Sequence, residues 1–564
     1  MSGAAGARAT LARLRGLLPS RADYRGLRRS WRADLLAGVT VGIVALPLAL
    51  GFGISSGAGA EAGLITAIVA GVVAAVFGGS NVQVSGPTGA MVVVLAPIVA
   101  SHGLAAVALV SVMAGVVVLV AGVLRLGRAV SFIPWPVIEG FTLGIAAIIF
   151  LQQVPALTRA DAAGASHTNV VVTAVEALLG ADPAYLAWAL GAVAVVALCM
   201  VFLPKLHPSI PGSLIGIALV AVLALWLPSP LADIGELPHS LPAPVLPAFD
   251  LGTLGALAGP VLTVAALAAI ESLLSARVAA SLADTGPYDP DRELVGQGLA
   301  SVAAGLFGGM PATGAIARTA VNVRSGARTR LAAVFHALVL LLVVLVAAEP
   351  VGLIPLAALS GVLMVTAVRM VHAATVRSIL RSTRADAIAF VVTAIVTISV
   401  DLIVAVVIGI VVAGIFAIRS LSRATGVTRE PLAGEPVEGD ERIALIRLDG
   451  PLFFAASDRV FDTVTAIDGV SVVILRMSQL ELVDATGAHV LSEIVQRLEA
   501  RGITVLIKGV REGHVELFRT VGVLAALRHH KHLFADLPAA VEHARSHVAR
   551  ERGDDVQEGR IPPA

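Results

Sequence analysis

The sequence predicts an α-helical polytopic membrane protein with 14 transmembrane segments, arranged as a seven-plus-seven inverted repeat and followed by a small cytoplasmic α/β domain. Three observations predict it. Of 564 residues, 57% are hydrophobic and 14% charged, against about 45–50% and about 25% in a soluble domain. The basic residues are segregated between successive apolar runs. One stretch recurs 230 residues further on, where the count of spans gives it the opposite sense across the membrane. This composition excludes a soluble enzyme, a disordered chain and a disulfide scaffold, and a single cysteine, Cys199, excludes an internal disulfide. A net charge of +1 offers no bulk attraction to nucleic acid.

Residues 1–33 carry eight arginines and read as a cytoplasmic arm, either a surface amphipathic helix or a solvated leader. A secretory signal would end its short apolar core at a cleavage site, whereas the run from Asp34 continues to about Gly51 with no such site. Residues 34–420 hold the membrane part. A span needs about 20 mostly apolar residues, and candidates lie at 35–55, 63–79, 84–100, 104–124, 137–154, 186–203, 213–227, 256–276, 293–309, 312–323, 331–348, 355–370, 385–400 and 402–418. With the N-terminus inside, fifteen basic residues between Arg125 and Arg429 fall in inner loops and Arg159 alone in outer loops. Such asymmetry sets orientation. An even number of spans then returns the C-terminus to the cytoplasm.

Beyond Arg419 the composition changes. Residues 421–440 read as a linker, 441–548 as a folded domain and 549–564 as a tail, with a polar, frayed end expected from His547. Apolar runs of strand length, Ile443–Leu448, Val470–Leu475 and Ile503–Ile507, alternate with helix-period segments at Ala455–Ile467, Ala488–Arg501 and Gly513–Thr520. Such alternation implies an α/β domain.

The repeat pairs Gly63–Gly79 with Glu293–Gly309, which share Leu, Ala, Val, Ala and a closing Phe-Gly-Gly without a gap. The two copies are seven spans apart, so they cross in opposite senses, the usual build of a secondary transporter. A Gly/Pro-rich break follows each: Ser85-Gly86-Pro87-Thr88-Gly89 in the first, Pro311-Ala312-Thr313-Gly314 in the second. Non-helical backbone at membrane depth is tolerated only where protein or a water-filled cavity satisfies it. Apolar helix resumes at Ala90 and Ala315, and each new helix start offers free N–H groups and partial positive charge. Two such starts near the midplane make an anion site. The candidate substrate-binding residues are therefore the first break together with Thr313, Gly314, Ala315, Ile316, Ala317 and Arg318, whose guanidinium adds positive charge or snorkels to the inner surface.

Glu271 follows nine uncharged residues. A carboxylate at mid-membrane costs about 2.5–3.5 kcal/mol even on insertion scales and normally pairs or lines an ion path. It is the candidate coupling residue, with Ser275 one turn on along the same face. His336 and His372 are single histidines without metal-ligand spacing. There is no catalytic triad, phosphate loop or metal cluster in the sequence pattern, so no enzyme activity, cofactor or metal is expected.

These stretches resemble the SulP family of sulfate permeases, which includes a cyanobacterial bicarbonate transporter and animal anion transporters. The resemblance rests on Asp34–Ala58, Phe77–Leu95, Ile133–Gly144 and above all Glu293–Arg328. The C-terminal part resembles a STAS domain, whose hallmark matches Leu482-Val483-Asp484-Ala485-Thr486-Gly487. The resemblance implies a core domain carrying substrate against a gate domain, elevator-like movement, a homodimer and Phe52 lining the anion site. Leu48 stands where many relatives carry Gln. Glu271 matches an acidic position where sodium-coupled relatives carry Asp, and Ile316 stands where their sodium site has Thr. Both differences favour proton over sodium coupling. In the STAS hallmark, Ala485 fills the place of a phosphorylatable Ser, so only Thr486 could substitute; packing, dimerisation or trafficking is the expected role. The expected function is transport of an inorganic anion across the cell membrane, sulfate by proton symport first and sodium-coupled bicarbonate uptake second. An uncoupled anion channel and a receptor signalling through the STAS domain are further alternatives.

Overall fold

The computed structural model describes residues 15–24, 26–128, 133–158, 169–207, 210–247, 251–282, 286–400 and 402–557. Arg8, Arg13, Arg25, Arg159 and Asp401 lie outside the described residues. The chain forms two compact units, Met1–Val411 and Val412–Ala564.

Every apolar stretch expected to span coincides with a helix. These are α1 (Leu27–Ser55), α2 (Ala60–Phe77), α3 (Gly89–His102), α4 (Ala105–Val123) and α5 (Trp135–Thr158), then, after α6 (Val170–Leu179), α7 (Pro183–Leu206), α8 (Gly212–Trp226), α9 (Leu251–Leu282), α10 (Pro290–Leu306), α11 (Ile316–Arg324), α12 (Leu331–Gly352) and α13 (Leu356–Met370), and, after α14 (Ala373–Arg381), α15 (Arg384–Ser399) and α16 (Leu402–Ala424). Helices α6 and α14 were not expected from hydropathy. Among the described residues, nine helices are long and apolar enough to cross a membrane, and α3, α6 and α8 are shorter apolar helices. Helix α1 begins earlier than its apolar run, taking in Arg28, Arg29 and Arg32.

Membrane helices gain little from hydrophobic exclusion of one another, so small residues that allow close backbone approach carry their packing. Helices α4 and α10 meet this way: a Cβ on Gly115 or Gly305 would come within 2.7 Å of a carbonyl oxygen on the opposing helix. Helices α1, α2, α3, α4, α9, α10, α11 and α12 form one packed group, and α5, α7, α8, α13 and α15 a second. The groups meet where α1 lies on α13 and α3 on α5.

The second unit is a five-stranded sheet in the order β3 (Gly426–Glu430), β4 (Ile443–Leu452), β5 (Val472–Val483), β6 (Thr504–Lys508), β7 (Leu533–Phe534), numbered after two short strands of the first unit, β1 (Ser85–Gly86) and β2 (Thr313–Gly314). The β3–β4 pair is antiparallel and the other three pairs parallel. Side chains alternate between faces along a strand. Ala444, Ile446 and Leu448 accordingly join α17 (Ser457–Thr465), α18 (Ala485–Ala500) and α19 (Glu512–Val521) in one core. Ile443 and Leu445 face α20 (Leu537–Gln557) through Ala540, Val541, Ala544 and Val548.

Two expectations for this unit change. The stretch read as a linker contains β3. The tail expected to fray from His547 is helical to Gln557, because Val548 is buried in the core and Arg545 pairs with Asp440 at 2.8 Å and Arg442 with Glu551 at 2.9 Å.

Candidate functional site

The two breaks meet. Strand β1 pairs antiparallel with β2, setting Ser85 opposite Gly314 and Gly86 opposite Thr313. The repeated Thr-Gly-Ala sequence, Thr88-Gly89-Ala90 and Thr313-Gly314-Ala315, thus comes together from both halves of the chain. Helix α3 starts at Gly89 and α11 at Ile316, and neither start has a side-chain cap.

Polar side chains from α9, α10 and α11 hold this junction. Ser272 Oγ accepts from Gly314 N at 3.0 Å, and Gln83 Nε2 donates to the Ser272 carbonyl at 3.3 Å. Thr319 Oγ1 accepts from Val84 N at 3.1 Å, and Asn322 Nδ2 donates to the Val82 carbonyl at 2.8 Å. At the end of α2, the buried Glu293 carboxylate accepts from Gly79 N at 2.8 Å, Ser80 N at 3.2 Å and Gln297 Nε2 at 2.9 Å. Buried backbone that leaves helical geometry needs such partners. Sequence reading assigned none of these side chains a role.

Glu271 is half-buried, and both Thr-Gly-Ala segments grip it. Its Oε2 accepts from Thr88 Oγ1 at 2.7 Å and Thr313 Oγ1 at 2.8 Å, and the two hydroxyls lie 3.0 Å apart. Ser275, one turn on from Glu271, meets Thr319 Oγ1 at 3.2 Å.

Arg318 does not snorkel. It is 1% exposed, and its Nη2 donates to the Pro87 carbonyl, tying the second helix start to the first break. Its Nη1 has no partner among the described residues. A Cβ on Gly86 would lie 2.6 Å from that Nη1, so a side chain there would displace the guanidinium. Ser85, Gly86, Pro87, Thr88, Gly89, Thr313, Gly314 and Ala315 are buried, Ile316 is half-buried and Ala317 exposed. Phe52 packs against Gly89, where an added Cβ would stand 3.4 Å from its ring, and the same Cβ would strike Ile149 of α5. The site therefore lies at the seam between the two helix groups. Two uncapped helix starts and a half-satisfied guanidinium suit an anion; a carboxylate between two hydroxyls suits a proton or a small cation.

The STAS-like hallmark serves local structure. Asp484 caps α18, its Oδ1 accepting from Gly487 N at 2.7 Å and its Oδ2 from Phe454 N at 3.2 Å. Ala485 and Thr486 are exposed, and Gly487 lies against the Leu452 carbonyl, where a side chain would clash.

Comparison with known proteins agrees with this layout. A profile of the sulfate permease family matches residues 31–393, and one of the STAS domain matches residues 436–540. YvdB of Bacillus subtilis, named provisionally as a sulfate transporter, is 35% identical over 511 residues, covering 88% of this chain and 94% of that protein. The bicarbonate transporter BicA of Synechocystis is 33% identical over 513 residues, covering 85% of this chain and 88% of that protein. The solved transmembrane domain of a cyanobacterial BicA superposes with a TM-score of 0.59 at 30% identity, covering 69% of this chain and 98% of that one. The murine Solute Carrier 26 family member A9 anion transporter superposes with a TM-score of 0.77 at 18% identity, covering 91% of each chain, a likeness of fold.

Proposed function

Because the chain belongs to the sulfate permease family of membrane anion transporters, we propose that it is a secondary active transporter of an inorganic oxyanion, sulfate first, driven by protons through Glu271. The observation that carries this reading is Arg318 Nη1, buried without a partner beside two uncapped helix starts. An unpaired buried guanidinium N–H is costly, and an oxyanion supplies the missing acceptor. Glu271 lies near enough for its charge to act on Arg318. A bare carboxylate there weakens the anion's hold; a protonated one does not. Proton and anion then bind together, which is symport.

In this reading the group bearing the site slides against the second group and opens the seam to either side in turn. The arginine distribution supports a cytoplasmic N-terminus and STAS domain, and the reading includes a homodimer in the plasma membrane. Sulfate uptake into proteoliposomes, under an inward proton gradient without sodium, tests the reading. Accumulation above equilibrium that collapses with the gradient is expected; failure to accumulate overturns it.

One observation favours a second reading, sodium-coupled bicarbonate uptake. Three oxygens, from Glu271, Thr88 and Thr313, converge within 3.0 Å of one another, and sodium prefers several oxygen ligands. The 33% identity to a bicarbonate transporter adds to it. Bicarbonate uptake that requires sodium, with no sulfate uptake, decides for this reading.

A further inference from the structure

The sequence pattern offered no metal cluster, yet folding gathers three histidines at the edge of the STAS sheet. His532 closes a short turn, His530–His532, just before β7. His543 and His547 stand four residues apart on α20, on one flank of the face that packs against the sheet. One ligand nitrogen from each of the three lies within 4.8 Å of the others. The ring centroids are 5.5 Å apart for His532–His543, 5.5 Å for His532–His547 and 5.0 Å for His543–His547.

The geometry points to a transition-metal site of the zinc class formed by His532, His543 and His547, with the fourth position left to water. Around tetrahedral zinc, with Zn–N about 2.0–2.1 Å, ligand nitrogens stand roughly 3.4 Å apart, so the separations need to close by at most about 1.5 Å. Imidazoles without thiolate or carboxylate suit zinc, nickel, cobalt and copper better than magnesium or calcium.

A further observation supports it. His532 Nδ1 and His543 Nε2 are buried and have no hydrogen-bond partner among the described residues, and buried polar nitrogens are ordinarily satisfied. Arg528, Lys531 and Arg550 oppose a second positive charge nearby, so micromolar rather than picomolar affinity is expected. His529 is engaged elsewhere, its Nδ1 accepting from Lys531 N at 3.1 Å. A bound ion would pin the C-terminal helix to the sheet edge, making the docking of α20 responsive to metal.

The test uses the untagged full-length protein in detergent, stripped with a chelator. Zn²⁺ is titrated against a chromophoric competitor, and Co²⁺ serves as a spectroscopic probe. One zinc per chain is expected, with the intense visible bands of four-coordinate cobalt, both lost in the His543→Ala/His547→Ala double variant. His547→Gln, at a half-buried position where packing tolerates exchange, should weaken zinc binding at least tenfold. No zinc uptake by the wild-type chain overturns the site. So does equal uptake by wild type and His547→Gln, which would assign the metal to exposed histidines elsewhere.

Discussion

The two membrane breaks share their parts but set them at shifted positions, and they differ in charge. Each enters from a Phe-Gly-Gly helix end, contributes one residue pair to a two-stranded ladder, gives a threonine hydroxyl to Glu271 and starts an uncapped helix. Aligned on Thr-Gly-Ala, however, Arg318 of the second copy falls opposite Val93 of the first. The repeat supplies a cradle from both halves, and Arg318 polarises it. The asymmetry makes the second copy the source of charge and the first its receptor, since Arg318 reaches back to the Pro87 carbonyl.

Breaking that asymmetry should produce the largest effect. Arg318→Gln keeps an amide near Pro87 but removes the charge. A hydrogen bond to a charged group contributes about 1.5–3 kcal/mol, so transport efficiency should fall by about 10- to 100-fold, measured as initial uptake in proteoliposomes at matched protein incorporation. Unaltered uptake would mean that the helix starts alone hold the anion. The next effect concerns coupling rather than binding. Glu271→Gln retains an acceptor for Thr88 and Thr313 but cannot exchange a proton. Uptake should persist down a sulfate gradient and lose its response to an imposed pH gradient; full acid stimulation in this variant would remove Glu271 from the coupling step.

Sequence alone displayed the repeat, both breaks, Glu271 and Arg318, because each is a local violation of an apolar helix. It did not display what holds them. Ser272, Gln83, Thr319 and Gln297 act across separations of about 190–235 residues (189 for Gln83–Ser272, 235 for Val84–Thr319, 212 for Gln297–Ser85), and no periodicity encodes such contacts. Helix spacing puts Ser275 on the face of Glu271 but does not report the Thr319 hydroxyl that it meets. The same limit hid the three histidines, which only the return of α20 onto the sheet brings together. Strands β3 and β7 were missed because short edge strands need little apolar sequence.

A finer test asks whether the two halves grip Glu271 equally. Thr88→Val and Thr313→Val each remove one hydroxyl at nearly constant volume. A neutral hydrogen bond is worth about 0.5–1.5 kcal/mol, so each variant should lose roughly 2- to 10-fold in proton-driven accumulation, and the two losses should agree within a factor of three. A much larger loss from one threonine would show that the cradle is functionally one-sided despite its paired backbone.

The smallest effect lies outside the membrane unit and sharpens the contrast in helix ends. Helices α3 and α11 begin without a side-chain cap, whereas α18 begins with Asp484 closing onto Gly487 N. A capped end has spent its N–H groups on its own chain; an uncapped one keeps them for a ligand. If that distinction is correct, Asp484 acts on stability only. Asp484→Ala should destabilise the start of α18 by about 1 kcal/mol, read as roughly fivefold faster hydrogen exchange over α18 in the full-length protein. Sulfate uptake per folded molecule should stay unchanged. A transport defect without faster exchange would instead give the hallmark aspartate a role in the transport cycle.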